Sequence, residues 1–298
     1  LSADQQQGLT IIAFIGSVFS PYYARYRRYS GFNNADPMQY CAINVSLYSS
    51  GRKYWSMTER TSRVVTRSRS HLQIGPSCMR WSDGELEIQF HERAVPRMSR
   101  MQGTVRLRSH AIAQHSPLAI DSGGIHYWRP IAPSASATVD ISCPSMNWHG
   151  SAYFDTNHGA APLEAVFASW EWSRCALPGS QSAVQYRVLE RSGAVNELYL
   201  LFGEAGGSET VIQPTLTPLS HSRLPHTLWR LPRSIRSEGT QSAQLIRTLE
   251  DGPFYARSLV RSSLLGQPRV WFHETLSLDR FNKPWVQWML PFRMPRVR

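Results

Sequence analysis

Apolar residues recur at every second position in one short stretch of this chain after another, and that period confines it to half-buried, antiparallel β-strands. Leu86, Ile88 and Phe90 alternate with Glu85, Glu87 and Gln89. Val105 and Leu107 alternate with Thr104, Arg106 and Arg108, and Val139 and Ile141 flank Asp140. Turn residues punctuate the runs and pair them into hairpins. Residues 41–47 and 54–58 are joined across Ser49-Ser50-Gly51-Arg52, 184–189 and 197–202 across Ser192-Gly193, and 256–264 and 269–275 across Gly266-Gln267-Pro268. Helical spacing is confined to 162–172 (PLEAVFASWEW), where Pro162 suits a first turn and Leu163, Val166, Phe167 and Trp170 share one face. The expectation is an all-β protein with at most a short helix. With 298 residues, two antiparallel barrel or sandwich units fit better than one. Pro144 and Gly150 interrupt the pattern and set the division, giving units 1–145 and 146–298.

Several function classes lose support. The apolar run LTIIAFIGSVF at 9–19 falls short of the ~18 residues a spanning helix needs. It reads as a strand from the middle of a fold, so further residues are expected before Leu1. No secretory pattern opens the sequence, and a cytoplasmic protein is expected. Cys41, Cys78, Cys143 and Cys175 lie far apart without a C-x-x-C pair, as small buried residues of a reducing compartment would. Neither G-x-S-x-G, G-x-x-x-x-G-K, G-x-G-x-x-G nor H-E-x-x-H occurs. His91-Glu92 and His273-Glu274 begin like metal motifs, but Val95 and Ser277 stand where a second histidine is required, so both pairs read as strand residues.

The formal charge of +11 is concentrated in arginine clusters: Arg25, Arg27 and Arg28; Arg60, Arg63, Arg67, Arg69 and Arg80; Arg223, Arg230, Arg233 and Arg236. Such clusters suit phosphate or anionic lipid headgroups, or form a plain solvated surface. No zinc-finger, RNP or helix-turn-helix spacing accompanies them, so nucleic acid is not an expected partner. Peripheral contact with an anionic membrane is.

Two segments bring ionisable groups beside aromatics. In Gly124-Ile125-His126-Tyr127-Trp128-Arg129-Pro130, an extended backbone puts His126 and Trp128 on one face; Gly150 to Asn157 repeats the arrangement with Tyr153 and Asp155. Were the two faces to share a pocket, an acid, an imidazole and two electron-rich rings would suit protonation of an alkene, because ring quadrupoles stabilise a cation. From alternation alone, Trp128 and Tyr153 read equally well as core residues and His126 as a structural histidine. Asp155 is costly to bury beside aromatics unless it is paired, and marks either a turn cap or a site.

At these residues the sequence resembles a known family. GLTIIAFIGSVFSPYYARYRR, HYWRPIAPSA, GSAYFDTNHGAAPLEAVFASWEWSR and HETLSLDRFNKPWVQWMLPFRMPR are together similar to the carotenoid 1,2-hydratases, over essentially the whole chain. The resemblance implies a cofactor-independent lyase that adds water to the 1,2 end of acyclic carotenes such as neurosporene and lycopene. It implies two lipocalin-like β units and a Y-x-D-x-N-x-G element, met here by Tyr153, Asp155, Asn157 and Gly159. It assigns activity to His126, Trp128, Tyr153 and Asp155, with the aspartate as proton donor. Members of the family carry further residues before the position of Leu1.

Overall fold

The alternating runs form strands in a computed structural model, which describes residues 1–31, 34–49, 51–110, 112–113, 116–205, 208–212, 219–239 and 242–297. The chain divides into two compact units, each built from more than one stretch: Leu1–Ser109, Ala135–Ala152 and Gln287–Arg298 in the first, His110–Ser134 and Tyr153–Val286 in the second.

In the first unit, β1 (Gln7–Ile15), β2 (Cys41–Ser49) and β3 (Arg52–Arg60) form an antiparallel sheet, with Arg296–Val297 added in parallel on β3. The apolar run near the start is therefore a strand. β2 is buried on both faces from Cys41 to Tyr48, which explains its nearly continuous apolar reading. The β2–β3 hairpin forms with Val45 opposite Ser56; Ser50 of its expected turn lies outside the described residues. A second sheet runs through β4 (Val65–Arg67), β5 (His71–Ile74), β6 (Ser77–Ser82), β7 (Glu85–Ala94) and β8 (Ser99–Ser109). On β7 the expected alternation is realised: Leu86, Ile88 and Phe90 are buried, and His91-Glu92 are strand residues. The short β9 (Leu118–Ala119) and the long β10 (His126–Cys143) and β11 (Ser145–Gly159) complete this sheet. The turn between β10 and β11 falls at Pro144, and each of these two strands contributes residues to both units.

The second unit is dominated by a seven-stranded antiparallel sheet. Its strands are β12 (Phe167–Leu177), β13 (Gln181–Glu190), β14 (Val195–Ala205), β15 (Ser208–Ile212), β18 (Gln244–Asp251), β19 (Tyr255–Leu264) and β20 (Gln267–Ser277), while β16 (Leu219–Leu224) and β17 (Arg233–Glu238) form a separate hairpin. The sheet order is β15-β14-β13-β12-β20-β19-β18. The two hairpins read from sequence here are β13–β14 and β19–β20. Directly opposed residues share a face, so the register sorts the sheet. Trp172 lies opposite Tyr186 and Glu274, on one face. Cys175, Ala183, Val260 and Trp271 pack with Leu224 and Ile235 of the β16–β17 hairpin in a buried core.

The helix expected over 162–172 is cut short. Only α2 (Leu163–Val166) is helical, and from Phe167 the chain is strand β12, paired with β13 on one side and β20 on the other. Bulky aromatic side chains gain more on a pleated surface between two strands than in a helix. Helix also appears where the sequence reading placed none. α1 (Pro21–Ser30) starts where the Ser20 hydroxyl accepts from Tyr23 N at 3.0 Å, with Pro21 in its first turn. α3 (Leu278–Phe281) and the ten-residue α4 (Pro284–Arg293) follow β20. All four cysteines are unpaired; Cys41 and Cys175 are buried, Cys78 and Cys143 partly so.

Candidate active site

The first residues of β10 are set by a loop. Asp121 is buried and its carboxylate accepts backbone N–H bonds from Gly123, Ile125 and, at 2.6 Å, His126. That turn fixes where the strand begins, and alternation then turns His126 and Trp128 inward. Trp128 is completely buried. Its indole Nε1–H donates to Asp155 Oδ2 at 2.7 Å and reaches the Tyr153 hydroxyl at 3.1 Å, while that hydroxyl donates to the same Oδ2 at 3.0 Å. Three of the four residues singled out from sequence are therefore one hydrogen-bonded group.

Around this trio stand aromatics from the seven-stranded sheet, all within the second unit. The Trp172 ring lies 5.1 Å from Tyr153, and Tyr186 lies 5.3 Å from Trp128 and 5.2 Å from Trp170. The Tyr186 hydroxyl donates to Asn157 Oδ1 at 3.1 Å, and Asn157 in turn hydrogen-bonds Asp155. Arg174 sits with its guanidinium 5.9 Å from the Tyr153 ring and donates to Pro133 O; burial pulls its pKa down to about 10.

Asp155 is half-buried, with its carboxyl set against Trp128, Tyr153 and Asn157. Burial pushes its pKa from 3.8 up to about 6; the donors Trp128 and Tyr153 oppose that rise, and the negative charge of Glu274 adds to it. Burial, with the Asp155 charge beside it, holds the Tyr153 phenol well above its ordinary range. The arrangement is a carboxyl whose pKa burial raises, set among electron-rich rings.

His126 stands apart from the trio. Its Nε2–H donates to Ala161 O at 2.9 Å, its ring packs on Phe167 at 4.9 Å, and its Nδ1 lies 3.7 Å from Asp121 Oδ1. Since a carbonyl only accepts, Nε2 carries the hydrogen. Gly159 is explained by the same ring: a Cβ there would fall 2.2 Å from His126 Cδ2. The residues that sequence reasoning missed are Asp121, Trp170, Trp172, Arg174 and Tyr186. A period-two signal at Trp170, Trp172 and Arg174 was present, but Leu163, Val166, Phe167 and Trp170 also fit a helical stripe.

The basic clusters prove heterogeneous. Arg60 is buried against Glu92 at 2.8 Å, Arg233 donates to Pro225 O and the Ser258 hydroxyl, and Arg236 pairs with Glu197 at 2.7 Å. Arg63, Arg67, Arg69 and Arg80 are exposed. Among the described residues no helix is long and apolar enough to cross a membrane.

The chain is 43% identical over its full length to the acyclic carotenoid 1,2-hydratase of Thiocapsa roseopersicina and 42% identical over 99% of its length to that of Rubrivivax gelatinosus, covering 71% of each relative. Among solved structures it is similar to an AttH protein of Nitrosomonas europaea, with a TM-score of 0.63 over 93% of this chain and 88% of that one at 13% identity, a likeness of lipocalin-like fold alone. The family model for carotenoid hydratase CrtC matches residues 11–298. With a matching family model over nearly every residue, the chain belongs to the carotenoid hydratase CrtC family.

Proposed function

We propose that this protein adds water to the terminal 1,2 double bond of an acyclic carotene, neurosporene or lycopene, with Asp155 as the acid. The observation that carries the reading is the Asp155 carboxyl, held at Oδ2 by Trp128 and Tyr153 while burial lifts its pKa to about 6. Protonated Asp155 delivers its proton to carbon 2, and the positive charge develops on carbon 1, where two methyl groups and the chain stabilise it. Trp128 and Tyr153, with Trp172 and Tyr186 behind them, face that charge; a ring face contributes ~2 kcal/mol or more where water is excluded. Water attacks carbon 1, and the Asp155 carboxylate takes the proton the water loses, so the acid is restored. One alkene and one water give one tertiary alcohol, and no cofactor is needed for the balance.

His126 has a different part. Bound at Nε2 to Ala161 O and packed against Gly159, it ties the end of β11 to the start of β10 and so positions Asp155 and Trp128 on their strands. The substrate is too insoluble to arrive by free diffusion, so the protein draws it from a membrane while resting against anionic headgroups.

Incubation of the purified protein with lycopene or neurosporene in heavy water tests the reaction. The expected product is heavier by one D2O, with one deuterium on carbon 2. Unchanged carotene would identify a carrier, and an isomer without added water a cyclase; either overturns the proposal.

A further inference from the structure

The helix α4 is apolar on two faces. Val286 and Leu290 are buried in the protein, as a surface helix requires. The opposite side carries Trp285, Trp288 and Phe292 at spacings of three and four, and these are 45%, 70% and 69% exposed. Trp288 and Phe292 touch each other at 5.2 Å, while Trp285 stacks on Trp229, whose neighbour Leu228 is 95% exposed. Water-exposed Trp-rich faces of this kind mark interaction surfaces.

The chemistry of the flanks selects the occupant. Residues 280–297 contain Arg280, Lys283 and Arg293, beside an Arg296 that is spent on Glu59, and no acidic residue. Tryptophan and phenylalanine rings favour the boundary between headgroups and acyl chains, and cations beside them favour anionic headgroups. At ten residues the helix is about 15 Å long, half the thickness of a hydrocarbon core, so it lies in the interface plane and does not cross. We infer that the Trp285–Trp288–Phe292 face of α4 docks on an anionic bilayer and inserts its rings at the headgroup boundary. Arg63, Arg67, Arg69 and Arg80 stand with no ring as exposed as those of α4, Trp81 being half-buried, and serve as long-range attraction at most. The inference draws on the proposed reaction only for the need to reach a membrane; the surface stands on its own residues.

The test uses full-length protein and vesicles of phosphatidylcholine mixed with phosphatidylglycerol, carrying bromine atoms high on the acyl chains. Docking quenches tryptophan fluorescence, and the paired substitution Trp288→Ser with Phe292→Ser weakens sedimentation with the vesicles by tenfold or more. Both positions face water, so the variant keeps the wild-type melting profile and hydrates detergent-dispersed carotene at the wild-type rate. Equal sedimentation of variant and wild type, absence of bromine quenching, or loss of self-association as the sole change in the variant overturns the inference. Failure of wild-type protein to hydrate detergent-dispersed carotene counts against the reaction and leaves the vesicle result standing.

Discussion

Asp155 is held between opposing forces, and its protonation follows from their balance. Crowding by atoms of low polarity disfavours the carboxylate, while N–H and O–H donors on Oδ2 favour it; the first wins and brings the pKa to about 6. A raised acid pKa means that folding favours the protonated form. The associated stability is complete below the ordinary value of 3.8 and is lost as pH rises through about 6. Asp155→Asn keeps an acceptor for Trp128 and Tyr153 and removes the charge. It should abolish hydration and raise stability at neutral pH by about 1–3 kcal/mol, with little gain at pH about 3, as unfolding at both pH values will show. In the wild type, the rate should fall about tenfold per pH unit above about 6. Trp128→Phe deletes a donor that steadies the carboxylate, so this limb should move to higher pH; a limb that stays in place would uncouple Trp128 from the titration.

At the scale of elements, the end of β11 and the start of β10 act together through one ring. Gly159→Ala would drive a methyl group into His126 and should cost about 1–3 kcal/mol. His126→Ala removes both that obstacle and the bond to Ala161 O. Denaturant unfolding of the two single variants and the double one should give costs that fall short of additivity by about 1 kcal/mol or more. Additive costs would show that the two residues do not meet. The elements differ in how far their sequence betrays them. β7 is half-buried, so period-two alternation reveals it, while β13, buried on both faces over most of its length, and β14 are revealed by the Ser192-Gly193 turn between two apolar runs. Residues 162–172 were obscure because Trp170 satisfies both periods, and only pairing with the distant β13 and β20 decides for a strand. The same non-local pairing hid Trp172 and Tyr186, whereas the Trp128–Tyr153–Asp155 group was legible because each half sits in one short alternating run. His126 shares its strand face with Trp128, and alternation could not tell that its Nε2–H is held by Ala161 O and its ring packed on Gly159.

For the whole molecule, charge and apolar surface act over different distances. The formal charge of +11 attracts an anionic surface through solution, and the α4 rings act only on contact. Some of the cluster arginines are spent internally, on Glu92 and Glu197, so the attraction comes from the exposed remainder. Raising the salt from about 0.1 M to about 1 M shortens the screening length from about 10 Å to about 3 Å. Sedimentation with anionic vesicles should therefore weaken strongly across that range, while the residual binding at high salt should vanish in the Trp288→Ser, Phe292→Ser variant. On vesicles of phosphatidylcholine alone, the salt dependence should disappear and the contribution of the rings should remain. Binding to anionic vesicles that ignores salt would assign the attachment wholly to apolar contact and leave the arginine surface without a part in it.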